Sequence, residues 1–133
     1  MKYSLRQNSP ERIYTHMKYS KEIFYQEFIR REDSTNRAPY NPELEFYSII
    51  QNGDTEQVKE LCKASPLKDK KGLGILSENP VNNIRYHFVI TTALVARYCI
   101  EGGLDVATAY NLSDFYIKKS DTMKSVEDIS ELH

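Results

Sequence analysis

An all-α fold, a compact bundle of about six helices around a central apolar helix at residues 80–101, is what this sequence predicts. Three observations carry that expectation. Helix-start signatures recur along the chain, at Ser9-Pro10, Asn41-Pro42, Asp54, Asn79-Pro80 and Ser125. Apolar residues return at three- and four-residue spacing rather than in alternation. The stretch from 80 to 101 contains no glycine and is too long for an ordinary strand. With 133 residues, 40% hydrophobic and 28% charged, the chain reads as one globular domain with a single core.

Each element follows in order. Ser9-Pro10-Glu11 offers a capping hydroxyl and proline at the first helical position. Ile13, Met17, Phe24 and Phe28, with Tyr14 and Tyr25 alongside, then keep helical spacing to about Ile29. The segment 32–40 is a polar break, so 1–40 forms an N-terminal helix segment ahead of the rest. Asn41-Pro42 opens a short helix with Leu44, Tyr47 and Ile50 on its apolar face, and Gly53 ends it at the left-handed position. Asp54, with Gln57 three residues on, caps the next, whose buried side is Val58, Leu61 and Cys62. Residues 65–74, with one proline, two glycines and three lysines, form a loop. Asn79-Pro80 starts the longest helix, about 33 Å if it runs to Glu101. Its middle, Phe88–Ile100, is apolar almost all round and belongs inside a bundle. Gly102-Gly103 stops it. Leu104-Asp105 leads into a helix with Ala109, Leu112, Tyr116 and Ile117 on one face, and Ser125 caps a last one with Val126, Ile129 and Leu132 inward.

Composition and motifs exclude much. Eighteen basic against nineteen acidic residues, a net charge of −1, leave no basic footprint for nucleic acid. The small basic excess in the first forty residues fits a solvated helix face. Two cysteines, Cys62 and Cys99, make no disulfide framework and no metal pair, which fits a reducing cytoplasm. The longest uncharged run, Tyr86–Ala96, is too short to span a bilayer, and the N-terminus lacks the apolar run of a signal peptide. Without such a signal, the Asn111-Leu112-Ser113 sequon is a chance match. His87 and Cys99 stand about 18 Å apart on one predicted helix and cannot meet within the chain. His16 and His133 offer no nucleophile or metal spacing, so no catalytic residue, metal ligand or cofactor is expected, and the chain reads as a non-enzyme.

Two constellations remain. Arg97 and Glu101 lie one turn apart on the central helix and can pair, and Tyr86, Tyr98, Tyr110 and Asp114 could complete a polar cluster around them. Such a cluster either fixes the packing of the glycine turn or forms the polar end of a ligand cavity. Gly103 is also placed as the turn glycine of a helix-turn-helix, with Cys99 before it and Leu104, Ala109 and Leu112 after. Asn111, Lys118 and Lys119 could face DNA, but Asp105 and Asp114 would face phosphates, and the preceding helix is too apolar to cross a DNA backbone. A buried structural turn is the expectation there.

An ordered series of residues suggests a family. Leu76-Ser77-Glu78-Asn79-Pro80, Tyr86-His87-Phe88-Val89, Arg97-Tyr98-Cys99-Ile100-Glu101-Gly102-Gly103-Leu104 and Ala109-Tyr110-Asn111-Leu112-Ser113-Asp114-Phe115-Tyr116-Ile117, closing at Glu131-Leu132-His133, resembles the N-terminal helical region of AraC-type bacterial transcription regulators. Phe46-Tyr47, Asn52-Gly53-Asp54, Val58 and Leu61 resemble the same group's earlier helix pair. The resemblance covers residues 42–133 and is specific from 76 onward. It implies a regulatory and association domain that senses a signal or dimerises to place a C-terminal pair of helix-turn-helix units. Those units lie outside these residues, so the resemblance implies either a truncated chain or a stand-alone regulatory domain. The implied partners are a second copy, forming a homodimer, and a small-molecule effector in an apolar cavity beside the central helix; DNA enters only through the absent module. The other function class is a small helical protein–protein adaptor.

Overall fold

The computed structural model describes residues 17–32, 40–63 and 73–133. Six helices are found there and no strand, so the fold is all-α as expected: α1 Ser20–Glu32, α2 Tyr40–Gln51, α3 Thr55–Lys63, α4 Pro80–Glu101, α5 Val106–Asp121 and α6 Val126–Leu132. The chain divides into two compact units, Met1–Asn36 and Arg37–His133.

In the first unit, α1 opens with the Ile23 N–H donating to the Tyr19 carbonyl at 3.0 Å. A continuous helix from Pro10 through Met17 was the expectation; instead residues 17–19 form a turn, because side-chain periodicity can run on across a break in the backbone ladder. The predicted start at Ser9, with Ile13, Tyr14 and His16, lies outside the described residues. The helix continues past Ile29 to Glu32, where Arg30 and Arg31 face the negative end of the helix dipole. Arg31 also pairs with Glu27 at 3.0 Å.

The second unit is built by capping chemistry that the sequence spells out. The Asn79 side chain accepts from the Asn82 N–H at 3.1 Å, Asp105 from Thr108 at 3.0 Å and Ser125 from Asp128 at 3.1 Å. Asp54 accepts from Gln57 at 3.1 Å. Each satisfies an orphan amide in a first helical turn. Both glycine stops close with one motif. Gly53 and Gly103 take φ values of 72° and 107°. The following N–H reaches back five residues, Asp54 to Ile49 at 3.3 Å and Leu104 to Cys99 at 2.9 Å. Residues 65–72 of the predicted loop and 33–39 of the predicted break lie outside the described residues.

α4 is the hub. It packs against α2, α5 and α6, while α2 also meets α3 and α5 meets α6. α2 and α4 run in the same direction, since Tyr47 stacks on Tyr98 with ring centroids 4.7 Å apart and the end of α2 abuts Gly102. Ile84, Phe88 and Ile129 form a buried centre, with Leu73, Val81, Met123, Val126 and Leu132 around it. The expected inward face of α6 is therefore present.

Other expected faces are revised. Phe88–Ile100 is not enclosed: Phe88 and Ala96 are buried, most of the others are half-buried and Ile90 is exposed. Among the α2 residues whose side chains are described, Tyr47 and Ile49 are buried, while Leu44 is exposed. No residue of α3 is buried. In α5 the buried face is Ala109, Ser113 and Ser120; Leu112 and Tyr116 are exposed. Small side chains let α5 approach α4 closely, and the large apolar ones are pushed to the flanks. The turn at Gly102-Gly103, expected to be buried, is exposed.

Gly102 has an ordinary helical φ of −81°, yet a Cβ there would collide with the carbonyl oxygen of Gln51. Gly102→Ala should therefore cost about 1–3 kcal/mol through overpacking at the α2–α4 contact. Urea unfolding checks this: an unchanged midpoint would mean that the two helix ends are not held together.

Candidate functional site

The α4 residues Phe88, Thr91, Thr92, Val95 and Cys99 share one helical face. Because α2 with α3 packs on one side of that face and α5 on the other, without touching each other, it becomes the floor of a groove. Phe46 and Ile50 of α2 and Val58 and Cys62 of α3 form one wall. Leu112, Ser113 and Tyr116 of α5 form the other. Leu132 and His133 close the groove beside Phe88. The groove holds about 470 Å³, a size that suits a small organic molecule. From Phe88 to Cys99 it follows α4 for roughly 16 Å.

Its chemistry is apolar with a few hydroxyls, two thiols and the imidazole of His133 at one end. Burial pushes the Cys99 thiol above its ordinary value, so it is less ionised at neutral pH than a free cysteine. Both cysteines are free. No group of three or more His, Cys, Asp or Glu suited to a metal occurs among the described residues. No helix among them is long and apolar enough to cross a membrane.

The groove's closed end is held by a residue the sequence reading left out. The Arg85 guanidinium donates through Nε to the Ser120 carbonyl at 3.2 Å and through Nη2 to the Met123 carbonyl at 2.6 Å. Its Nη1 donates to Asn82 Oδ1 at 2.8 Å. One cation thus binds the carbonyl end of α5 and the turn into α6. The incoming segment is anchored separately: the His87 Nε2–H donates to the Gly74 carbonyl at 2.6 Å, and Asn83 Oδ1 accepts from the Leu76 and Ser77 amides. A donor at Nε2 sets the His87 tautomer and assigns this buried imidazole a structural bond.

The six polar residues singled out from the sequence do not converge. Tyr86, Arg97 and Glu101 are exposed and share the edge of α4 that carries Ile90. Arg97 donates to the Ala93 carbonyl at 2.9 Å rather than pairing with Glu101, and its guanidinium lies 5.7 Å from the Tyr110 ring centroid. That contact is the one meeting within the set. Tyr98 turns away to stack on Tyr47, and Asp114 is exposed. An exposed edge imposes no demand that charges be paired, so the premise of the cluster is missing. Of the helix-turn-helix candidates, Asn111, Lys118 and Lys119 are exposed on α5.

No family model, curated protein or solved structure matches the chain. The geometry must speak for itself. The groove, not the polar cluster, is the candidate site.

Thr91 of the groove floor is hydrogen-bonded to Tyr47, whose phenol is pushed up to about 12, first by burial, then by the Glu43 carboxylate and Tyr98, with the Thr91 hydroxyl acting the other way. A tyrosine in the unfolded chain ionises near ~10. The folded state therefore keeps its proton longer, and the stability this lends is complete below pH ~10 and lost as pH climbs towards ~12. The difference in unfolding free energy between the wild type and Tyr47→Phe should shrink over that window. A constant difference would show that Tyr47 ionises as freely in the fold as outside it.

Proposed function

We propose that this chain is the regulatory and association domain of an AraC-type transcription regulator, non-enzymatic and cytoplasmic, whose DNA-binding units lie outside these residues. Sequence resemblance over 42–133 supplies the family. The single observation that supports the regulatory role is the position of Leu132 and His133. They complete a groove otherwise built by α2 to α5, so what fills the groove and where α6 sits are physically one variable.

A ligand biases such an element only by binding one packing better than the other. Here α6 rests on Ile84 and Phe88, and Phe88 also belongs to the groove. A molecule in contact with Phe88 and Leu132 favours the α6 position that completes its site. In a dimer, that shift would alter the spacing of the two DNA-binding modules and hence the half-sites they match.

A helical adaptor is the second reading, favoured by the exposed Leu112, Phe115 and Tyr116 on α5. An apolar patch of this kind can receive another protein. Light scattering across a concentration series separates the two. The regulatory reading expects a dimer that dissociates on dilution; a monomer at every concentration would contradict association. Reading the coding region past the codon for His133 tests the class: two helix-turn-helix units are expected, and a stop codon there would count against it.

A further inference from the structure

We infer that the groove over α4 is a binding site for an uncharged, chiefly apolar small molecule. None of the described residues lining it is Asp, Glu, Lys or Arg. His133, at the closed end, carries the lining's one imidazole; over the rest of the groove a carboxylate or ammonium would lose its hydration without gaining a counter-charge, which is costly in a low-dielectric site. Thr55, Thr91, Thr92, Ser113 and Tyr116 are the hydroxyl-bearing residues there, and they suit a ligand with one or two neutral hydrogen-bonding groups, such as a hydroxyl or carbonyl.

Size suits a small molecule. The groove offers about 470 Å³, within the roughly 300–1,000 Å³ range of small-molecule sites. A bicyclic or tricyclic neutral molecule can lie along it against the α4 floor, in contact with both walls.

The two cysteines supply the test, because Cys62 on the wall and Cys99 on the floor both line the groove. The probes are N-phenyl-1-naphthylamine and its 8-sulfonate, which share one ring system and differ by a single negative charge. At a free concentration about ten times its Kd, the neutral amine should slow maleimide addition to both thiols about tenfold, read by mass spectrometry. The sulfonate at the same concentration should slow it less than about twofold. Equal protection by both probes, or protection by neither, would overturn the inference.

Thr92→Trp, which fills the floor, should abolish protection while far-UV dichroism stays helical. Protection that persists in the folded variant would place the site elsewhere and overturn the assignment. If the variant does not fold, the comparison of the two probes on the wild type still decides. The inference rests on the regulatory reading only for its consequence. Protection without any change in association would sink that reading and leave the ligand assignment standing.

Discussion

Arg85 sits near the start of the longest helix and spends its charge on the backbone of a distant one. Its guanidinium takes the carbonyls of Ser120 and Met123, where α5 ends and the chain turns towards α6. A helix C-terminus carries a partial negative charge and unpaired carbonyls, so a planar cation with several fixed donors answers both needs at once. Charge-assisted bonds of this kind are worth more than neutral ones, and here they are part-buried. Because α5 leaves α4 by the short Gly102-Gly103 turn, tying its far end back to Arg85 keeps the two helices side by side. The position of α6 follows, since α6 begins a few residues after Met123.

Small residues complete that arrangement. Ala109, Ser113 and Ser120 are the buried residues of α5, and Ser120 satisfies its own hydroxyl by donating to the Ile117 carbonyl at 2.7 Å. Close approach along this stripe brings the carbonyl end of α5 within reach of Arg85. It also leaves Leu112 and Tyr116 as a wall instead of a core. The groove is thus a consequence of how α4 and α5 pack: the large apolar side chains that would fill a bundle interior line an open trough.

Much of this was legible in the sequence because it depends on neighbours. Asn79, Asp105 and Ser125 each accept from an amide three residues further on, and Gly53 and Gly103 adopt the backbone angles that their turns require. The inward set Val126, Ile129 and Leu132 followed from spacing alone. What failed to show depends on distance. Arg85 reads as a solvent residue until α5 brings carbonyls from thirty-five positions away. Leu112 and Tyr116 share a helical face with Ala109 and Ile117 by spacing, and only the preference of a tight helix contact for small side chains turns them outward. A stripe of Ala109, Ser113 and Ser120 was a signal that could have been read. The Arg97–Glu101 pairing followed from one-turn spacing; on an edge that faces water, the backbone carbonyl of Ala93 and the Tyr110 ring suffice for the guanidinium.

One guanidinium holds α6 at the closed end of the groove, and amide hydrogen exchange in α6 reports its grip. In Arg85→Lys the charge remains, but a single ammonium cannot bond Ser120, Met123 and Asn82 together in the same geometry. Exchange at the amides of α6 should accelerate by about tenfold or more, the scale set by losing one charge-assisted bond, while α2 and α3 keep wild-type rates. Unchanged exchange in α6, or equal acceleration throughout α2 to α6, would contradict the account.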